Sequence, residues 1–510
     1  MSELLMALLL PLLAGVLVTL LLERAMLPAP APCWRRPWLA NLLHVNGWLM
    51  VYCFELLLFQ RPWFAALLST GFFALLVLVN NAKYVALREP FIFQDFEYFF
   101  DALRHPRLYI PFFGIAKTIA GFLVFGLVLA TGFWLETSVL VRLSPWHFWG
   151  GLLLLVGVCA VLCVLGKKCN PHLQFSPAED LRAHGVYAYM HYYAWAESHI
   201  PCDVCDPPAS WSADGLPLAT RVLVIQSESF FDARTLSSDI RADVLLEYDR
   251  LCASSWQTGG LTTPAWGANT VRSEFAFLSG LSPVRMGVQQ FNPYRKLAKS
   301  SPYTLARWFR QRGYRTVCIH PYPASFYERD RVYPELGFDE FIDITAFEPP
   351  EAGLPYVGDV ALADKVAAVL EAADGPLFCF VITMENHGPL HLESVNEQDE
   401  ARLYISKRQA PGCKDLTVYL RHQLNADRMV RHLRGVLERG EQPAVLCWYG
   451  DHVPVMPAVY DHYGAPDGRT RYAIWRNWSA GEGRQIDLAA HQLGAALLAG
   501  IRVESAPRGA

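Results

Sequence analysis

Five apolar stretches occupy most of the first 165 residues: Leu4–Leu22, Trp38–Phe59, Trp63–Val79, Ile115–Leu135 and Phe148–Leu165. Each runs for about 17–24 residues, the helix length that a bilayer core of about 30 Å demands. One such stretch fits the buried helix of a soluble core; five in succession do not. The first lacks a basic leader and runs into a Pro-rich segment rather than a small-residue cleavage site, so it reads as a retained anchor. The 53% hydrophobic content of the 510 residues is concentrated here, and residues 1–170 are expected to form a bundle of five transmembrane helices.

Between the third and fourth stretches, residues 82–110 are crowded with aromatics and carry Asp95, Glu97, Asp101, Arg104 and Arg107. Such a segment is expected to lie amphipathically in the headgroup plane, with Lys83 and Arg88 as partners for lipid phosphate. Glu55, inside the second stretch, is costly in lipid and therefore a functional candidate. Charge gives a conflicting signal on orientation. Arg24, Arg35, Arg36, Lys83, Arg88, Arg104, Arg107, Lys167 and Lys168 fall on one side, which is that of the C-terminal region, while Arg61 and Arg142 fall on the other. Taken alone, the positive-inside rule puts the C-terminal region in the cytoplasm.

After Gly166 the composition becomes that of a globular domain. Residues 171–217 read as a connector with a helical patch at Ala183–Ser198, and a second domain is expected over 218–510. Twelve cysteines are split five and seven about Pro171. The pair Cys202 and Cys205 has C-x-x-C spacing without a second half-site, which fits a local disulfide or free thiols better than a metal site. A net charge of −4 and the lack of a basic stripe give no case for nucleic-acid binding.

The chemistry gathers where apolar runs end. Arg221–Gln226 reads as a core strand and exits into Ser227, Glu228 and Ser229; Ala444–Tyr449 reads likewise and exits into Gly450, Asp451 and His452. Two strand ends delivering Glu228, Asp451 and His452 supply the ligand types that hold Mn²⁺, Mg²⁺ or Zn²⁺. Thr270 stands at a loop-to-helix junction, where it either caps the helix or carries a phosphate on the helix N-terminus. Thr316–Ile319 leads into His320, Tyr327 and Arg329, and Leu377–Ile382 into Glu385, Asn386 and His387. An imidazole, an aromatic ring and a guanidinium within ten residues suit a phosphoester that bears a small polyol.

Together these motifs resemble the alkaline phosphatase and sulfatase superfamily, in particular its lipoteichoic acid synthase-like phosphoglycerol transferases. The resemblance takes in the five spans, Asn80, Lys83 and Arg88-Glu89-Pro90, and then Glu228, Asn269-Thr270, Ser273-Glu274-Phe275, His320 to Arg329, Asn386-His387 and Gly450-Asp451-His452. It implies an α/β alkaline phosphatase-like domain with a central, largely parallel sheet flanked by helices. It implies Thr270 as nucleophile, one divalent ion (manganese first, magnesium or zinc otherwise) held by Glu228, Thr270, Asp451 and His452, and His320, Tyr327, Arg329 and His387 around the substrate. His320 or His387 would carry the proton. The implied donor is phosphatidylglycerol, the acceptor a cell-surface or periplasmic glycan, and the setting a bacterial inner membrane with the catalytic domain outside, against the charge count.

Some positions depart from the pattern. Arg272 stands where relatives often have an acid, Tyr327 where lipoteichoic acid synthases have tryptophan, and Val453-Pro454 follows the Asp-His pair. Acceptor, headgroup and oligomeric state stay open. A phosphoethanolamine transferase is the alternative enzyme, and a non-catalytic glycan or lipid sensor the alternative from another class. A sulfatase needs Cys or Ser in a C/S-x-P-x-R setting, which the sequence lacks; Ser282-Pro283-Val284-Arg285 has the wrong spacing.

Overall fold

A computed structural model describes residues 2–96, 115–141, 143–168, 173–198, 205–211, 217–350, 354–479 and 483–503. The chain divides into two compact units, Met1–His199 and Ile200–Ala510. The division falls inside the stretch expected as a connector.

The first unit contains α1 (Ser2–Leu22), α2 (Trp38–Phe59), α3 (Pro62–Leu87), α4 (Ile115–Leu135) and α5 (Pro145–Lys168), followed by α6 (Pro177–His184) and α7 (Val186–Ala196). By length and composition five of these helices can cross a membrane. Their burial pattern differs from that of a water-soluble bundle. Thr19, Glu23, His44, Asn46, Ser69 and Asn80 are buried, while Leu21, Leu57, Leu78, Leu153 and Leu154 face outward. Polar groups inside and leucines outside suit a hydrocarbon solvent, and the unit is a multi-pass membrane bundle.

Central α2 packs against α1, α3, α5 and α7. The Glu23 carboxylate ties α7 to this bundle, accepting the Val186 N–H at 2.7 Å and pairing with Arg36 at 2.7 Å. Lys83 departs from its expected lipid role: its ammonium donates to Glu89, Asp95 and the Pro90 carbonyl, so its donors are used internally. The amphipathic segment beyond Phe96 lies outside the described residues.

In the second unit, continuous apolar runs become strands buried on both faces, as parallel sheets require. The strands are β1 (Arg221–Ser227), β2 (Gln257–Thr262), β3 (Arg315–Ile319), β4 (Glu340–Ile342), β5 (Leu377–Ile382), β6 (Ala444–Gly450), β7 (Thr470–Arg476), β8 (Arg484–Gln485) and β9 (Leu488–Ala489). They form one sheet in the order β4-β3-β5-β1-β6-β7-β2-β8, with β9 on β2. β4, β3, β5, β1 and β6 run parallel, and β7 is antiparallel to β6 and to β2.

Successive side chains feed opposite layers, as a strand period of two dictates. Leu223 and Ile225 join Cys379, Val381, Leu446 and Trp448 on one face. Val222 and Val224 join Phe378, Phe380, Val445 and Tyr449 on the other. The first face is covered by α10 (Asp359–Glu371) and α11 (Lys414–Arg439), the second by α8 (Thr270–Ser279), α9 (Arg329–Leu336) and α12 (Ala490–Gly500). This is the helix-sheet-helix sandwich expected for an alkaline phosphatase-like domain.

Gly450 ends β6 for a reason that its neighbours in sequence do not reveal. A Cβ at this position would lie 1.9 Å from the Phe230 carbonyl oxygen, so β6 passes too close to the chain leaving β1 for any side chain. Because the obstacle is backbone, Gly450→Ala is expected to cost about 3 kcal/mol or more. Thermal melting of the detergent-solubilised protein checks this; a melting point within about 1 °C of wild type contradicts it.

Candidate active site

The parallel strands β1, β5, β6 and β3 all release their chains at the same edge, and each exit delivers polar residues. Open α/β sheets place their sites at this edge. β1 pairs with both β5 and β6, with Gln226 opposite Ile382 and Ser227 opposite Gly450. That register sets Glu228, Thr383 and Asp451 side by side. The Glu228 N–H donates to Thr383 Oγ1 at 2.9 Å, and the Ser229 N–H donates to Asp451 Oδ1 at 2.8 Å.

Glu228, Asp451 and His452 converge with one ligand atom from each lying within 4.8 Å of the others, all buried. His452 Nε2 stands 3.5 Å from Glu228 Oε1 and 3.5 Å from Asp451 Oδ2. Neither Nε2 nor Asp451 Oδ2 has a hydrogen-bond partner. The ring's Nδ1 lies 3.1 Å from the Val453 carbonyl, which can only accept, so Nδ1 carries a proton and Nε2 faces the carboxylates. Two carboxylates and an imidazole nitrogen facing one another in a buried pocket are a donor set for a cation.

The electrostatics agree. Burial and then Glu228 push the Asp451 carboxyl well above the usual range. Burial also opposes charge on Glu228, but the rings of His452 and His387 and hydrogen bonds from Ser229 and Thr270 outweigh it and hold Glu228 low. A divalent ion among these groups relieves the conflict, and the residues present fit one.

Thr270 is the first residue of α8, and its hydroxyl donates to Glu228 Oε2 at 3.2 Å. The capping alternative fails. Asn269 is the N-cap, makes no side-chain cap bond and sits in the left-handed region at φ 66°. Its backbone turn presents the Thr270 hydroxyl to Glu228 instead of to the helix. Ser273, one turn on, donates to the Asp451 carbonyl at 2.6 Å and ties α8 to the β6 exit.

His320 is buried, with Nδ1 3.1 Å from the Ile382 carbonyl, so its Nε2 is the free basic atom. Burial, followed by the Arg329 charge, lowers its pKa well below that of an ordinary histidine. The native state thus refuses a proton that the unfolded chain takes below about pH 6.5. Stability from this residue is full above that pH and is lost as pH falls, by up to about 1.4 kcal/mol per pH unit. Melting curves at descending pH should show a shallower loss for His320→Asn than for wild type; equal slopes contradict the assignment.

Arg329 is held at the start of α9 by Glu274 of α8, Nη2 to Oε2 at 2.9 Å, and both side chains are buried. Tyr294 and Tyr333 also donate to Glu274. Arg329 Nε and Nη1 have no partner, leaving two donors of the fork for an anion. Tyr327 lies against this guanidinium, 5.3 Å from ring centroid to Cζ. Tyr327 and Glu328 both have positive φ, a strained pair of the kind found at functional turns. His387 donates from Nδ1 to the Gly388 carbonyl at 2.7 Å, with the Tyr356 hydroxyl 3.2 Å away. Arg272 is buried, donating from Nε to the Phe291 carbonyl at 3.1 Å.

Glu228, Asp451 and His452, which follow β1 and β6, His320, which follows β3, and His387, which follows β5, thus leave the sheet at one edge. Tyr294, Tyr333 and Tyr356 enter only with the fold, as do the hydrogen bonds made by Ser229, Ser273 and Glu274. Glu274 had one signal, its place one helical turn after Thr270; the tyrosines had none. Cys202 lies outside the described residues, and the Cys205 thiol donates to the Ser300 carbonyl at 3.2 Å.

A family model for the sulfatases matches residues 220–477, a little over half of the chain and the whole run from β1 to the end of β7. The chain belongs to the sulfatase family. This sulfatase-family chain is 29% identical over 437 residues to the capsular polysaccharide biosynthesis protein RkpI of Rhizobium meliloti, covering 81% of this chain and 77% of that protein. It is 24% identical over 147 residues to lipoteichoic acid synthase 1 of Bacillus subtilis, 28% of this chain and 22% of the relative. Among solved structures it is similar to the phosphoglycerol transferase GacH of Streptococcus pyogenes, with a TM-score of 0.45, 22% identity, and 56% of this chain and 76% of that one covered.

Proposed function

We propose that this protein is a membrane-bound transferase that moves phosphoglycerol from phosphatidylglycerol to a cell-surface or periplasmic glycan through a phosphothreonine at Thr270. The observation that carries the reading is the Thr270 hydroxyl, 3.2 Å from Glu228 and beside the buried Asp451–His452 pair. The names of a capsular polysaccharide biosynthesis protein and a lipoteichoic acid synthase among the similar proteins support the class of substrate.

Glu228, Asp451, His452 and Thr270 would hold one divalent ion, manganese in the first instance. When bound, it supplies positive charge that acidifies a threonine hydroxyl and polarises a phosphodiester. Thr270 Oγ1 forms the new bond to phosphorus while the bond from phosphorus to the diacylglycerol oxygen breaks. The threonine proton ends on the departing diacylglycerol, with His387 as carrier. An acceptor hydroxyl then attacks the same phosphorus, its proton taken at His320 Nε2, and Thr270 regains a hydroxyl. Arg329 forks its two free donors to the phosphate oxygens, and Tyr327 packs the headgroup carbons.

The lipid donor accounts for the membrane bundle. We place the catalytic unit outside the inner membrane, because glycan acceptors for such chemistry are assembled there, and thus set aside the basic-residue count. Protease treatment of spheroplasts should digest residues beyond 199; protection of that region overturns the orientation. For the reaction, the full-length protein with Mn²⁺ and vesicles of labelled phosphatidylglycerol should release diacylglycerol. Release from phosphatidylethanolamine alone would favour the phosphoethanolamine alternative.

A further inference from the structure

The turn that leaves β5 carries a polar side chain that the scheme above does not use. Asn386 is 1% exposed, and neither its Oδ1 nor its Nδ2 has a hydrogen-bond partner. A buried polar atom left unmade costs about 1–3 kcal/mol. Both atoms are orphaned, so either orientation of the amide leaves one donor group and one acceptor unmet.

Its position is defined on both sides. Thr383 accepts the Glu228 N–H, and the His387 N–H donates to the Met384 carbonyl at 3.0 Å, closing the turn that contains Asn386. His387, the next residue, lies within electrostatic reach of Glu228 and of His320. Asp359, first residue of α10, donates its N–H to Glu385 Oε2 at 2.6 Å, docking that helix on the residue before Asn386. Both Asp359 carboxyl oxygens are likewise buried without partners.

We propose that Asn386, with Asp359 docked on its neighbour, reads a hydroxyl of the donor headgroup and makes the site selective for a polyol over an ammonium. This rests on the Thr270-centred transfer proposed above. A hydroxyl donates and accepts at once, matching the two orphaned atoms of the amide. An ammonium only donates; it would serve Oδ1 and leave Nδ2 without an acceptor. Burial, then Glu385 and Glu228, push the Asp359 carboxyl well above the usual range, so the group docked beside Asn386 is a poor counter-anion for an ammonium. Sites built to hydrogen-bond a hydroxyl discriminate strongly, because the wrong ligand leaves their buried groups unpaired.

The test compares two donors in one assay. Full-length protein with Mn²⁺ is given mixed vesicles of differently labelled phosphatidylglycerol and phosphatidylethanolamine, and kcat/KM for diacylglycerol release is measured for each. Asn386→Ala is expected to lose about 10-fold or more on phosphatidylglycerol with little change on phosphatidylethanolamine. Asn386→Asp should shift the ratio further toward the ammonium donor. Melting points with and without Mn²⁺ verify that the variants fold. An unchanged ratio, or an equal loss on both donors, would mean that Asn386 holds only a buried water or the turn, and overturns the proposal. Wild type that turns over phosphatidylethanolamine alone, through Thr270, also overturns the polyol selectivity while leaving threonine-centred transfer intact. Undiminished turnover in Thr270→Ala strikes instead at the underlying reading.

Discussion

Thr270→Ala is expected to reduce diacylglycerol release from phosphatidylglycerol by about 10⁴-fold or more, with the fold intact. The side chain is small and sits at the first position of α8, where alanine suits the helix as well as threonine does. The hydroxyl and one methyl are lost, together with the 3.2 Å hydrogen bond to Glu228. If Thr270 forms the covalent bond, no neighbour can substitute; Ser273 is committed to the Asp451 carbonyl and Ser229 to Glu228. Removing a nucleophile that works as part of a unit abolishes nearly all of the unit's contribution. Release rates from labelled vesicles, with a melting curve as control, measure the effect. A loss of less than about 10-fold would show that the hydroxyl is not the attacking group.

Asp451→Asn is expected to remove the protein's response to divalent metal. In wild type, Mn²⁺ at about 100 times its Kd should stabilise the fold by about 2.7 kcal/mol, seen as a rise in melting temperature. The asparagine keeps an oxygen to accept the Ser229 and His452 N–H groups, both now on Asp451 Oδ1. What it deletes is the charge on the unpartnered Oδ2, the atom 3.5 Å from His452 Nε2. Without metal the variant should melt no lower than wild type, because burial and Glu228 already oppose charge on Asp451. Its affinity for Mn²⁺ should fall by at least about 100-fold, taking transfer activity with it. A metal-dependent shift of wild-type size in Asp451→Asn would separate this residue from the cation.

What the sequence made legible was whatever depends on local pattern. Apolar length marked the five spans, and uninterrupted runs such as Leu377–Ile382 marked strands buried on both faces. Because the site sits where those strands end, the residues just past each run were readable as a group. Pairing is not local, and here the sequence was silent. That β1 lies between β5 and β6, and so joins Glu228 to both Thr383 and Asp451, follows from register alone. The same holds for Tyr294 and Tyr333, which meet Glu274 from 20 and 59 residues away.

Lys83 illustrates the opposite error. A basic residue near a membrane face reads as a headgroup ligand until its neighbours Glu89 and Asp95 are seen to take its donors. Gly450 stands in the sequence only as the residue after an apolar run, but it is needed because the Phe230 carbonyl leaves no room for a Cβ. Close approach of two backbones has no one-dimensional signature.

The central claim is that a threonine, placed by α8 against Glu228, Asp451 and His452, carries the transferred group. The most direct measurement is mass spectrometry of the full-length protein, quenched in acid after brief exposure to phosphatidylglycerol vesicles and Mn²⁺ without acceptor. The account predicts a glycerophosphate adduct on the peptide containing Thr270, absent from Thr270→Ala and lost when acceptor is added. An adduct on another residue, or no adduct together with undiminished turnover in Thr270→Ala, would contradict it.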